Sequence, residues 1–134
     1  MIHQLRIYEI FEHNKAAFHD RFRKNASRIM KSYGFEIVST WESRTKDRTE
    51  FVYLLAWPDE KTMGDAWDRF RADDEWKEIK RVTNAKHGDL VGLIQEKVLL
   101  PTDYSPTLPT RTGTHSIRGG SDKKRRAESH TLAN

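Results

Sequence analysis

An α+β fold, a four-stranded antiparallel sheet with two helices on one face, is predicted by three observations in this sequence. Residues 51–57 read Phe-Val-Tyr-Leu-Leu-Ala-Trp, apolar or aromatic on both faces of a strand, which demands burial above and below the sheet. Two other stretches, opening near Asn14 and Asp59, change to apolar spacings of three and four, the period of an amphipathic helix. The segments follow the order β-α-β-β-α-β over about 100 residues, the size of one domain. That order closes as the ferredoxin-like split β-α-β arrangement, with strands one and three central.

Residues 2–10 make the first strand, with Leu5 and Ile7 on one face and Arg6, Tyr8 and Ile10 on the other. Phe18, Phe22, Ala26, Ile29, Met30 and Tyr33 then form one helical stripe. Asn14 is the expected N-cap, and Gly34 the left-handed residue that ends the helix. Residues 35–42 form a second strand with Phe35, Ile37 and Trp41 on one face and Glu36, Val38, Thr40 and Glu42 on the other. Its charges mark it as an edge. Residues 43–50 read as a polar hairpin loop before the third strand. Pro58-Asp59 stops that strand and Asp59 caps a helix with Met63, Ala66, Trp67 and Phe70 inward. The period breaks at Ala72-Asp73-Asp74, where Asp73 caps a further piece carrying Trp76, Ile79 and Val82. His87-Gly88-Asp89 turns the chain into a last strand over residues 90–100.

Composition excludes several classes. The chain has no cysteine, so disulfides, thiolate metal sites and a cysteine nucleophile are absent. No apolar run reaches the roughly 18 residues of a membrane span. Residues 107–134 hold six basic and two acidic side chains, which accounts for the whole net charge of +4. Residues 1–106 are therefore neutral, and a nucleic-acid partner, which would leave a basic footprint on the folded surface, is not expected. Residues 1–106 read as the folded domain and 107–134 as a flexible basic tail, whose Lys123-Lys124-Arg125-Arg126 run suits a solvated end or an acidic contact. The sequence begins directly in a strand-like segment, so a cytoplasmic location is expected.

Two helices cover one sheet face, and the doubly apolar third strand leaves the other in need of a partner. Burying several hundred Å² at about 25 cal/mol per Å² is worth on the order of 10 kcal/mol before association costs. A homodimer through the sheet faces is the expected solution.

Leu5-Arg6-Ile7-Tyr8, Gly34-Phe35, Trp41-Glu42, Tyr53-Leu54-Leu55-Ala56-Trp57, Trp67, Phe70, Asp74-Glu75-Trp76 and Leu99-Leu100-Pro101, in this order and spacing, together resemble the NIPSNAP family over residues 1–106. The resemblance implies a dimeric α+β barrel, in agreement with the unpaired sheet face, and carries no agreed catalytic set. Haem-binding relatives among such barrels place an iron-ligating histidine around the second helix. Residues 59–85 contain none, and His87 just beyond is the one candidate. No cofactor is expected.

Candidate functional residues are His3, Arg6, Tyr8, Trp41, Glu42, Tyr53 and Trp67. Arg6 and Tyr8 share a strand face, with their polar ends expected in the space under a second subunit. Arg6 either orients a carboxylate or enolate or sits in an interface ion pair with Glu36, Glu42 or Glu96. The four tryptophans, Tyr53 and Phe70 either line an aromatic pocket between sheet and helices or fill the core. The six histidines show no metal-ligand spacing, and no metal is expected. Asp73, Asp74 and Glu75 suit a helix start. Two functions remain open: binding of a small apolar or aromatic molecule or a protein partner without turnover, and cofactor-independent monooxygenase or isomerase chemistry. The latter would draw its base from Tyr8, Tyr53, His3 or Glu42.

Overall fold

The computed structural model describes residues 1–106; the basic tail, including Lys123–Arg126, lies outside them. Met1–Tyr104 form one unit and Ser105–Asn134 another, of which only Ser105 and Pro106 are described. Strands β1 (Ile2–Ile10), β2 (Glu36–Arg44), β3 (Thr49–Trp57) and β4 (Val91–Leu99) form one antiparallel sheet in the order β2-β3-β1-β4. Strands one and three are central, as the sequence predicts. The fold is ferredoxin-like.

The first helical region is one continuous run of α1 (Lys15–Arg21), a π turn (Phe22–Ala26) and α2 (Ser27–Ser32). Its stripe residues Phe18, Phe22, Ala26, Ile29 and Met30 are all buried. Spacings of four overshoot a turn of 3.6 residues, and the wider turn absorbs the excess between Phe22 and Ala26. Gly34 has φ +91°, a backbone conformation open to glycine. Around it the Gly34 N–H donates to the Lys31 carbonyl at 3.0 Å and the Phe35 N–H to the Met30 carbonyl at 3.1 Å, the paired bonds of a Schellman end. Asn14 makes no side-chain cap. Its amide instead donates to the carbonyls of His87 at 3.3 Å and Asp89 at 3.2 Å, tying the start of α1 to the turn before β4.

Helices α3 (Glu60–Ala72) and α4 (Asp74–His87) meet at Asp73. Asp59 Oδ1 accepts the Thr62 N–H at 2.7 Å, as the capping pattern predicts. Asp73 accepts the Trp76 N–H at 2.7 Å and the Tyr33 O–H at 2.6 Å. These donors, Tyr33 first, hold its carboxyl below the usual range. A carboxylate with a lowered folded pKa stabilises above its unfolded pKa, and that stability disappears as pH falls through the folded value. Asparagine caps as well as aspartate but its amide nitrogen cannot accept the Tyr33 O–H, so we expect Asp73→Asn to cost about 1 kcal/mol at neutral pH and to show a shallower acid-side loss than the parent in urea unfolding between about pH 2 and 7. An unchanged slope would remove Asp73 from the acid response.

The core fills the space between the helices and one sheet face. Phe35 lies 4.8 Å from both the Trp57 and Trp67 rings, and Phe51 lies 4.8 Å from Phe22, aromatic packing at van der Waals range. Val82, expected on the inward stripe of α4, is 47 % exposed; α4 turns only Trp76 and, in part, Ile79 into the core. The hairpin turn is shorter than the polar sequence suggests, because Ser43 and Arg44 still pair with Glu50 and Thr49. Only residues 45–48 turn, closed by the Thr45 N–H donating to the Arg48 carbonyl at 2.9 Å. Polar side chains suit an exposed ladder, so polarity alone does not end a strand.

In β2 the register shifts between Ile37 and Ser39. A bulge of one residue exchanges the two faces of a strand from that point on. Trp41 therefore pairs beside Val52 on the helix-free face and is 46 % exposed, while Glu42 pairs beside Phe51 on the helix side. Both placements reverse the simple alternation. The helix-free face carries a central apolar band of Leu5, Ile7, Val52, Leu54 and Ala56, with Glu9 and Glu50 at one end and His3 and Glu36 at the other. β4 is an exposed edge in which Leu93, Ile94, Val98 and Leu99 all meet solvent. A Cβ at Gly92 would strike the Glu9 carboxylate and the Phe11 ring, so glycine admits that close approach.

Candidate functional site

Gln4, Arg6, Tyr8 and Ile10 alternate onto the helix-facing side of β1. Arg6 and Tyr8 thus point beneath the chain's own helices, not into the space expected under a second subunit; β1 presents Leu5 and Ile7 to the helix-free side. The reason is packing: Gln4 Oε1, 1 % exposed, accepts the indole N–H groups of Trp57 at 2.9 Å and Trp67 at 2.8 Å. That junction locks this side of β1 to β3 and α3.

Next along β1, the Arg6 guanidinium lies 4.3 Å from the Trp67 ring and 5.3 Å from the Tyr8 ring. It bonds Glu96 of β4 at 2.6 Å and donates to the Tyr8 hydroxyl at 3.1 Å. The Tyr8 and Tyr53 hydroxyls are 2.6 Å apart, one donating to the other. Burial works against the Arg6 charge, but the neighbouring Tyr8 and Tyr53 oxygens outweigh it and leave its pKa raised. Burial, with Tyr8 beside it, pushes the fully enclosed Tyr53 phenol well above its ordinary value. Tyr53 is a neutral hydrogen-bonding group at neutral pH, not a base.

Above this chain opens a cleft of about 300 Å³ between the sheet and the helices. Its apolar walls include Phe18 and Phe22 from the first helical region and Trp67, Phe70 and Trp76 from α3 and α4. Arg6, Arg21, Arg71 and Lys80 also line it, against one acidic side chain among the described residues, Asp89. The π turn contributes Phe22 and Ala26 to the wall, consistent with the tendency of such turns to fall at sites. Arg21 is 8 % exposed; its guanidinium donates to Thr83 Oγ1 at 2.8 Å and Asn84 Oδ1 at 3.3 Å and lies 5.3 Å from the Trp76 ring. Burial lowers its pKa, opposed by Tyr8.

Of the residues singled out in the sequence, Arg6, Tyr8 and Trp67 line the cleft, and Tyr53 backs it through Tyr8. The others lie elsewhere. His3 is on the opposite sheet face, with its Nε2 buried and without a hydrogen-bond partner among the described residues. Burial lowers its pKa, opposed by Glu36. Trp41 is on that face too. Glu42 accepts from Lys15 at 3.0 Å and pairs with His19 at 2.9 Å near the hairpin; these contacts, His19 first, lower its pKa. His87 is exposed at the end of α4. Among the described residues, no three His, Asp or Glu side chains gather as metal ligands, and no helix is long and apolar enough to cross a membrane.

Arg21 is the principal site residue that sequence reasoning missed. It lies three residues after Phe18 and one before Phe22, at the edge of the apolar stripe, where the period alone gives no sign that a charge turns inward.

A βαββαβ protomer with one helix-free sheet face is the building unit of the dimeric α+β barrel class, here with a cationic, aromatic cleft under its helices. The chain belongs to the NIPSNAP family, whose model matches residues 3–106. An uncharacterised NIPSNAP-like domain protein from Burkholderia xenovorans shares its fold with a TM-score of 0.67 at 23 % identity, over 81 % of this chain and 91 % of that one. A NIPSNAP family protein from Agrobacterium tumefaciens gives a TM-score of 0.68 at 16 % identity, over 80 % and 98 %. A Streptomyces coelicolor monooxygenase in complex with nanaomycin D gives 0.51 at 14 % identity, over 81 % and 92 %. At these identities the likeness is one of fold. No curated protein matches the chain.

Proposed function

We propose that this protein binds a small aromatic or apolar molecule in the cleft between sheet and helices, without turnover, as a homodimer joined through the helix-free sheet face. The observation that carries the binding reading is the cleft itself: about 300 Å³ walled by Phe18, Phe22, Trp67, Phe70 and Trp76, at the small end of the range of ligand pockets. The dimer is supported by the apolar band of Leu5, Ile7, Val52 and Leu54 on a face that no helix among the described residues covers.

The second reading, cofactor-independent monooxygenase or isomerase chemistry, draws support from the Arg6–Tyr8–Tyr53 hydrogen-bond chain at the cleft wall and from a fold likeness to monooxygenases. Against it stand the base candidates: His3 and Glu42 lie away from the cleft, and Tyr53 is held in its neutral form. A general base needs to reach its proton and to ionise near the working pH.

Ligand-observed NMR titration with 2-naphthalenemethanol tests the binding reading. We expect saturable binding on the order of 0.1 mM, abolished by Ala26→Trp, which fills the cleft. Binding that does not saturate, or that survives in Ala26→Trp, would place the ligand elsewhere. Protein-dependent oxygen uptake with 1,5-dihydroxynaphthalene, lost in Tyr8→Phe, would instead favour the enzyme.

A further inference from the structure

We infer that the ligand of this cleft is an anion, a carboxylate on an aromatic or apolar body, and that Arg21 is its counter-ion. The inference rests on the binding reading above and concerns the charge of what is bound.

The lining is unbalanced. Arg6 is neutralised by Glu96 at 2.6 Å, and Arg71 has Asp68 at 3.8 Å outside the cleft. Arg21 is as deeply buried as Arg6, yet no carboxylate lies within ion-pair distance of it among the described residues; it donates to the neutral oxygens of Thr83 and Asn84. A buried guanidinium is costly without an opposite charge, and a protein interior normally supplies one. Lys80 adds a second cation to the same wall, 5.9 Å from the Trp76 ring.

A second observation points the same way. Arg6, a residue of the cleft lining, keeps its Nε buried with no acceptor among the described residues. Buried polar groups are nearly always satisfied, so Arg6 holds hydrogen-bonding capacity that the described residues leave unused. Guanidinium groups present planar forks that match a carboxylate. Among the described residues no glycine lines the cleft, so they lack the close backbone approach typical of phosphate cradles. The aromatic walls hold the body of the ligand, and the cations fix its acidic end.

The test compares 2-naphthoate, 2-naphthalenemethanol and 2-naphthyl phosphate by NMR titration of the full-length protein. We expect naphthoate to bind about 10- to 100-fold more tightly than the alcohol, the range of a charge-assisted hydrogen bond. Arg21→Met should bring that ratio close to one, with Arg21→Lys intermediate. Equal binding of naphthoate and alcohol overturns the anion assignment while the cleft reading stands; failure of all three to bind overturns the cleft reading and the assignment with it. Tighter binding of the phosphate overturns the carboxylate. A ratio undiminished in a folded Arg21→Met overturns the role of Arg21; if Arg21→Met does not fold, Arg21→Gln, which also removes the charge, takes its place and is read the same way.

Discussion

Gln4→Leu unfolds at a lower urea concentration than the parent, with a loss of about 3 kcal/mol. The Gln4 Oε1 atom is the shared acceptor for two buried indole N–H groups, from Trp57 on β3 and Trp67 on α3. Leucine matches the size but accepts nothing, and each orphaned buried donor costs about 1–3 kcal/mol. Some of that is offset by the greater apolar character of leucine. The substitution also frees Trp67, whose ring holds the Arg6 guanidinium at 4.3 Å, so cleft binding weakens with stability. A loss below about 1 kcal/mol would mean that the indoles find other acceptors.

Leu54→Glu converts the proposed dimer to monomers, with the dissociation constant raised about a thousandfold. Leu54 sits on the helix-free side of the central strand β3, paired across the sheet with Leu5 and Ser39. A carboxylate desolvated at an apolar contact without a partner costs about 4 kcal/mol or more, which is a factor of a thousand. The helix-facing core is untouched, so circular dichroism should keep its native shape. Sedimentation velocity at micromolar concentration checks both chains. A parent that already sediments as a monomer would sink the dimer, and a variant that stays dimeric would move the interface to another surface.

The elements were legible because their signals are local. Phe18, Phe22, Ala26, Ile29 and Met30 mark a helix by spacing alone. Asp59 and Asp73 announce helix starts, and Gly34 an end. The β-α-β-β-α-β order then allows few topologies. The site was half legible. Arg6, Tyr8, Tyr53 and Trp67 stand out as polar or amphipathic side chains on buried elements. Arg21 was hidden because a charge beside an apolar stripe reads as solvent-facing until the opposite helix is known.

By itself the sequence determined the fold, the central place of β1 and β3, the caps at Asp59 and Asp73, the helix end at Gly34 and the existence of a sheet face that the described helices do not cover. Each follows from periodicity and turn chemistry within a few residues. Tertiary structure decided the rest. Only the packing of Gln4 against Trp57 and Trp67 settles which side of β1 meets the helices, since both sides carry apolar residues. Only the bulge between Ile37 and Ser39 moves Trp41 to one face and Glu42 to the other, because one extra residue reverses every later side chain. The pairing of Arg6 with Glu96 and of Arg21 with Thr83 joins residues 90 and 62 positions apart. Such contacts depend on how the elements dock, which no local pattern encodes.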